Sequence, residues 1–543
     1  YLQGMPIENQ SKVWNLIDEW SRTAGEAAKA VLRERIRLFA FTQRGRQRKL
    51  EDATRDRARE AYDSLRPNDP LIRHSWLFAN QCVPVSTEEI EKEGFNDNYQ
   101  KAGERIDKLR REAITEIWDE RGFKGVKDLL APSGATDLIG RYTASCVTDV
   151  CSQSDFIQRC LSLDGELQSK AEWCLRGFLS AIGDDVCAEV INMVAKKLSV
   201  EESKRLFVCA PFNASTWRLL DDSSEDIRTG YWKDVVPYWK DQTPAELNEL
   251  IDCLLEAHRP RAAFHVVCMN FKDIETSRLK RLLHDIATVN TEPAGQVGLD
   301  PYYISKALDL LDGRVGVTPY EMAQFEFLFI VALDHSKHGI PNLESQIAQS
   351  PEIFVQAVAL AFKRSDEGED PPEWRIENPE QRAVVVSAAY HLLNQIKKIP
   401  GTDENGHIDK EALVSWIEQA RQLLHKHARG NIGDQYIGQL LARAPEGENG
   451  MWPCEAVCEA IEKTASSGIG QGFSRSVYNS RGLHWLGKGG EQEYELAAKY
   501  RTWAERLSFD YPYVARVLED IAGAYECDAA WQDTEADVKK RLL

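Results

Sequence analysis

Nothing in the 543-residue sequence is a run of 18 apolar residues, so no segment is long enough to cross a bilayer as a helix. The first residues do not read as a signal peptide. Positive charge is in deficit: 67 Lys and Arg stand against 86 Asp and Glu, a formal charge of −19. That excludes a general polyanion binder while leaving room for one local basic patch. Catalytic signatures are missing as well. There is no phosphate-cradling loop with lysine followed by Ser or Thr, no nucleophile elbow, no kinase set and no nuclease cluster. Turn-bounded alternating runs are few, which argues against sheets. The twelve cysteines, spread from Cys82 to Cys527, lack the density of a disulfide scaffold. Most sit in apolar helical patterns, as with Cys209, Cys253 and Cys268, so buried free thiols in a reducing cytoplasm are expected.

What is present suits a large helical protein. With 43% hydrophobic and 28% charged residues the chain has material for sizeable cores, and its length predicts two to four packed units. Helix start signals recur. Thr243-Pro244-Ala245-Glu246 and Thr318-Pro319-Tyr320-Glu321 combine a capping threonine, proline at the first helical position and a glutamate that can reach back to the cap. Asn378-Pro379, Ser350-Pro351 and Asp300-Pro301 repeat the cap–proline pair, while Ser86 with Glu89 and Ser199 with Glu202 fit the capping box. After Thr243, the residues Leu247, Leu250, Ile251, Leu254 and Leu255 form one apolar stripe. Arg259-Pro260 breaks it before a second short helix. Such pairs are also expected at 172–197, 303–334, 352–363 with 379–398, and 409–442. The fold class is therefore all-α, made of irregular helical repeats, an α-solenoid of TPR- or HEAT-like helix pairs without a strict period. The apolar run Phe325–Leu333, which carries Glu326, is expected to be a core helix.

Residues 1–4 (Tyr1-Leu2-Gln3-Gly4) look like an expression-tag remnant; the native segment would then start at Met5 or Pro6, and the chain could be a fragment that lacks an amino-terminal domain. Three lobes are expected: a charged one at 5–139, helix pairs at 140–297, and a carboxyl-terminal lobe at 298–543, with exposed loops at 364–378 and 443–453.

The strongest charge feature spans 33–59. Ten basic residues against four acids make +6 there, leaving −25 for the rest of the chain. Arg44, Arg46, Arg48 and Lys49 could grip phosphates, since guanidinium forks match that geometry. The competing reading, a basic surface docked on acids of the same chain, is favoured because the acidic remainder supplies a partner in cis. Gly401–Asp409 resembles a calcium loop but puts glycine and alanine where the first carboxylate and last glutamate belong, so a turn before a capped helix is expected. His335 with His338, and Cys454 with Cys458, lack the further ligands of a metal site and are read as structural. Gly468–Gly472 fits no phosphate-binding fingerprint. Gly487–Gly490 with Lys488 opens a helix that could hold an anion, although Glu491 and Glu493 would repel it. No cofactor is expected.

The carboxyl-terminal words are the most distinctive: Tyr478-Asn479-Ser480-Arg481-Gly482-Leu483-His484-Trp485, Gly489-Gly490-Glu491-Gln492-Glu493 and Tyr500-Arg501-Thr502-Trp503. With Tyr231-Trp232-Lys233 and Leu255–Ala263, the chain resembles the carboxyl-terminal helical region of large bacterial P-loop NTPases of the STAND type, associated with antiphage defence. The resemblance implies a sensor that binds a protein ligand, such as a phage protein, over a concave surface, with NTPase and effector activities in a preceding part. The alternative is a stand-alone nucleic-acid-binding or enzymatic subunit using 33–59. Candidate binding residues are Arg44, Arg46, Arg48, Lys49, Arg481, His484, Trp485 and Lys488. The aromatic and glycine-rich block Tyr478–Trp503 suits either a loop folded onto the final helices or an exposed aromatic contact surface; the first is favoured, with Trp485 buried in it.

Overall fold

The computed structural model describes residues 5, 7–42, 52–84, 97–288, 292, 298–447, 450–480 and 489–542. The protein is all-α: 72% helical, with 26 α-helices and no strand among the described residues. No described helix is long and apolar enough to cross a membrane. Contacts divide the chain into two compact units, one of residues 1–266 and 292–296, the other of 267–291 and 297–543.

The punctuation read from the sequence is in place. Thr243, Thr318 and Ser199 each close a full capping box on Glu246, Glu321 and Glu202. Asp300 and Asn378 cap the helices that follow them. Ser350 instead turns its hydroxyl to Glu352 and caps no amide; Ser86 and Glu89 lie outside the described residues. The expected pairs are helices Gln168–Ala181 with Asp184–Ala195, Pro301–Leu311 with Pro319–Leu328, Pro351–Ala361 with Pro379–Gln395, and Lys410–Lys426 with Gly430–Leu441. Many helices touch both their successor and the helix after it: Pro351–Ala361 meets Lys410–Lys426, which in turn meets Glu455–Thr464. Such near-neighbour stacking is the contact pattern of helical repeats.

Two stacks depend on glycine. A Cβ at Gly140 would lie 1.7 Å from the Cys174 carbonyl oxygen, and one at Gly177 would lie 1.8 Å from that of Asp137. The second unit repeats the device: Gly438 meets the Ile469 oxygen at 2.1 Å and Gly472 that of Gln435 at 1.9 Å. In both crossings each glycine faces the residue three before the other glycine, and a buried phenylalanine, Phe178 or Phe473, follows the second one. The segment Gly468–Gly472 is thus a helix-crossing surface within helix Ser467–Ser480.

Three helices that begin with proline take their cap from outside the preceding residue. Each is capped by a glutamate from elsewhere in its unit. Glu292 accepts from the Arg261 and Ala262 amides at 2.9 and 3.1 Å, Glu326 from Asn342 and Leu343 at 3.1 and 2.6 Å, and Glu462 from Tyr513 and Val514 at 2.9 and 3.2 Å. The proline at the first position has no N–H, so the free amides of the second and third positions converge on one carboxylate.

One expectation needs correction. The run Phe325–Leu333 is not a single core helix. Its helix ends at Leu328, and residues 329–335 form turns. Ile330 and Leu333 are buried while Leu328 and Val331 stay 43% and 56% exposed. A helix beside solvent cannot bury apolar side chains all round, and leaving the helix lets the chain choose which ones go in. Gly401–Asp409 is a turn before a capped helix: Asp403 accepts from Asn405 and His407, and Asp409 caps Lys410–Lys426. None of the twelve cysteines is in a disulfide, and burial pushes the Cys187, Cys209, Cys253 and Cys458 thiols up to about 12.

Candidate functional site: an apolar groove with a polar lining

A groove of about 570 Å³ lies within the second unit. Each wall is one stripe of a helix. Pro319–Leu328 contributes Tyr320, Gln324 and Leu328, four residues apart; Pro341–Gln349 contributes Leu343 and Gln346; Pro351–Ala361 contributes Ile353, Gln356 and Leu360. Lys280 and His284, one turn apart on helix Thr276–Thr288, also line it. Other faces of these helices are core: Met322 and Glu326 are buried, as are Phe354, Val355 and Val358, while the buried Ala323 and Phe325 form part of the groove's lining. Burial of those faces fixes which residues point into the groove.

The lining is mainly apolar, with polar groups of two kinds. Lys280 pairs with Glu321, and that bond together with the Thr318 cap holds the Glu321 carboxyl down at about 2. The carboxamides of Gln324, Gln346 and Gln356 make no hydrogen bond to any described residue. Gln346 and Gln356 are half-buried.

Behind the wall lies a buried titratable cluster. His338, its side chain 3% exposed, has Nδ1 at 2.7 Å from Asp309 and Nε2 at 3.5 Å from Glu326, which is itself fully buried. The longer contact is one of charge rather than a hydrogen bond. Burial pulls the imidazole pKa down, but the two carboxylates outweigh it and the net shift is upward. The same Glu326 caps the helix that carries Leu343 and Gln346, so the cluster braces the groove wall. Protonated His338 therefore stabilises the fold fully below its unfolded pKa, near ~6.5, and this contribution is lost as pH rises through the higher native value. Wild type should lose denaturant midpoint between those pH values relative to His338→Gln; parallel pH profiles of the two proteins would remove this role. His335 does not join the cluster: its side chain is 95% exposed beside Asp334.

The sequence-derived candidates Arg44, Arg46, Arg48, Lys49, Arg481, His484, Trp485 and Lys488 all lie outside the described residues. Their neighbours are largely engaged within the chain. Arg33 donates to the Tyr62 carbonyl and stacks 3.9 Å over its ring. Buried Arg37 binds Glu34 through two bonds of 2.7 and 2.8 Å and lies 4.0 Å over Trp76. Arg57 pairs with Asp18 and Glu60. A second groove, about 640 Å³, lies among Val31, Leu71, Ile72 and Leu129 in the first unit; of the three arginines that line it, Arg73 is held by Glu116 and the Pro67 and Asn68 carbonyls, Arg33 by the Tyr62 carbonyl, and Arg35 is exposed. At the carboxyl end the Gly490 amide donates to Asp533 at 2.9 Å, so a carboxylate already occupies the start of helix Glu491–Leu507. Tyr478, Tyr525, Tyr500, Trp503 and Trp452 form a continuous series of ring contacts with centroids 5.4–6.0 Å apart.

Sequence reasoning missed the groove because its lining is shared among five helices between Thr276 and Gln395, each contributing only a few residues. One signal was visible: Glu326 inside the apolar run, a charge that burial allows only with partners. No protein-family model, curated protein or solved structure matches the chain.

Proposed function

We propose that the chain is a protein-recognition scaffold and that the groove between Lys280 and Leu392 is its binding site. One observation carries the reading: an apolar cleft with three unpartnered carboxamides, built on helices whose other faces are core. Concave apolar sites with a few placed polar groups are where ligands bind, and they are rigid where secondary structure frames them. The resemblance of the Tyr478–Trp503 and Leu255–Ala263 words supports the wider role, the sensor region of a cytoplasmic bacterial antiphage NTPase that takes a phage protein as ligand. In that role NTPase and effector chemistry belong to another part of the protein. The nucleic-acid reading of 33–59 is weakened by the pairing of Arg33, Arg37 and Arg57 in cis.

Leu328→Glu places a charge on the groove's exposed wall, where Leu328 makes little of the core. It should leave the melting temperature within a few degrees of wild type and weaken partner binding about 10-fold or more, since a buried unpaired charge opposes the complex. The measurement is retention of proteins from phage-infected extract by wild type and by Leu328→Glu, beside mobility shifts with DNA at about 50 and 200 mM salt. Salt-sensitive DNA binding untouched by Leu328→Glu, with no protein distinguishing the two baits, would replace this reading with the basic-strip one.

A further inference from the structure

Resting on the recognition reading, we infer that the groove binds its protein partner through an extended, largely apolar peptide segment, with Gln324, Gln346 and Gln356 clamping the segment's backbone. The three glutamines come from three helices that follow one another in the chain, Pro319–Leu328, Pro341–Gln349 and Pro351–Ala361, and each packs on the next. A carboxamide carries a donor and an acceptor side by side and so matches both polar groups of one peptide unit. None of the three bonds to a described residue; Gln324 is exposed and Gln346 and Gln356 are half-buried, so their donors and acceptors are left to water and remain open to a ligand.

The choice between an extended and a helical occupant follows from where backbone polar groups point. A helix satisfies its own N–H and C=O groups and would lay an apolar face against the glutamines, desolvating three carboxamides without replacing their hydrogen bonds to water. An extended segment has free N–H and C=O groups along its edges and needs such partners. Packed helices lie about 8–10 Å apart, so three in succession spread their carboxamides over roughly 20 Å, the reach of about six extended residues. Between the glutamines, Leu328, Leu343, Ile353 and Leu360 offer apolar ground for side chains that alternate along such a segment. The charged groups that line the groove are already paired, Lys280 with Glu321 and His284 with Asp285. Nothing there calls for a charged segment.

The probe is a displayed library of random peptides about eight residues long, selected on the full chain and counter-selected on Leu328→Glu. Affinities of the winners are then read by fluorescence anisotropy. Gln346→Leu and Gln356→Leu should each weaken binding about 5- to 10-fold while leaving the melting temperature unchanged, because neither side chain has a protein partner to lose. N-methylation at alternate backbone amides of the peptide should weaken it similarly, and stapling it into a helix should abolish binding. Winners that bind more tightly when stapled, or that ignore the glutamine substitutions, overturn the extended mode while leaving the recognition groove in place. A selection that enriches nothing on wild type over Leu328→Glu overturns both.

Discussion

Gly177→Ala is expected to destabilise the first unit by about 3 kcal/mol or more, above the usual cost of overpacking. The added methyl would stand 1.8 Å from the Asp137 carbonyl oxygen and 2.6 Å from its carbon. Those are backbone atoms of a helix, so no rotamer change makes room. Helices Thr136–Thr143 and Gln168–Ala181 would have to separate, opening the contacts of Leu138, Ile139, Cys174 and Phe178, all buried. Gly472→Ala should act in the same way on the second unit, with its methyl 1.9 Å from the Gln435 oxygen. Gly523 is the control. It lies within helix Pro512–Leu542, and a methyl added there would meet nothing within 4 Å, so Gly523→Ala should raise stability by roughly 0.5–1 kcal/mol. Chemical denaturation gives the size of each change, and hydrogen exchange shows which unit opens. A Gly177→Ala protein as stable as Gly523→Ala would mean that the two helices do not cross at the glycines.

Removing Arg429 should cost about 3 kcal/mol, the low end for breaking a buried ion pair because its partner Asp370 is partly exposed. The Arg429 side chain is 1% exposed. It donates to the Phe362 and Ala359 carbonyls at 2.9 and 3.1 Å, to that of His427 at 2.9 Å, and to both Asp370 oxygens at 2.7 and 2.8 Å. One side chain therefore closes the end of helix Pro351–Ala361 and ties down the 364–378 loop. Arg429→Ala strands those acceptors. Arg429→Lys should recover little, since an ammonium group cannot reproduce a planar fork with five donors. The hydrogen bonds from Arg429 hold the Asp370 carboxyl below the ordinary aspartate range. Its share of the stability is thus present above the ordinary pKa of ~3.9 and lost as pH falls through the lower native value. Arg429→Ala should accordingly flatten the acid limb of the stability profile. If thermal and acid unfolding match wild type, the loop is held by other contacts.

Local rules carried the reading of the fold a long way. A cap such as Thr243 or Thr318 acts within four residues of itself, so its effect is written in adjacent letters. The same rules could not see Glu292, Glu326 or Glu462, whose partners are fixed only once the chain has folded. Gly472 is a related case. In the sequence it belongs to a glycine cluster that matches no phosphate loop; its purpose becomes apparent only against the Gln435 carbonyl across the crossing. The groove was hidden for a further reason. Leu328, Gln346 and Ile353 look like ordinary surface or stripe positions on their own helices, and only their convergence makes a site. Arg44–Lys49 and Arg481–Lys488 drew attention because charge and aromatic density are visible in linear order.

The glutamate-capped helices bear on how this array can change over generations. Uniform repeats can be copied or deleted because every joint accepts every neighbour. Here the joints are individually keyed. Glu326 secures a helix that follows shortly after it, Glu462 one that starts much further along, and Glu292 one that precedes it. Excising a single helix at these places would leave a proline-headed helix without its carboxylate, or a carboxylate without its amides. Loss of one helix at these joints therefore carries a cost that loss of a uniform repeat would not, whereas substitution within the groove leaves every joint intact.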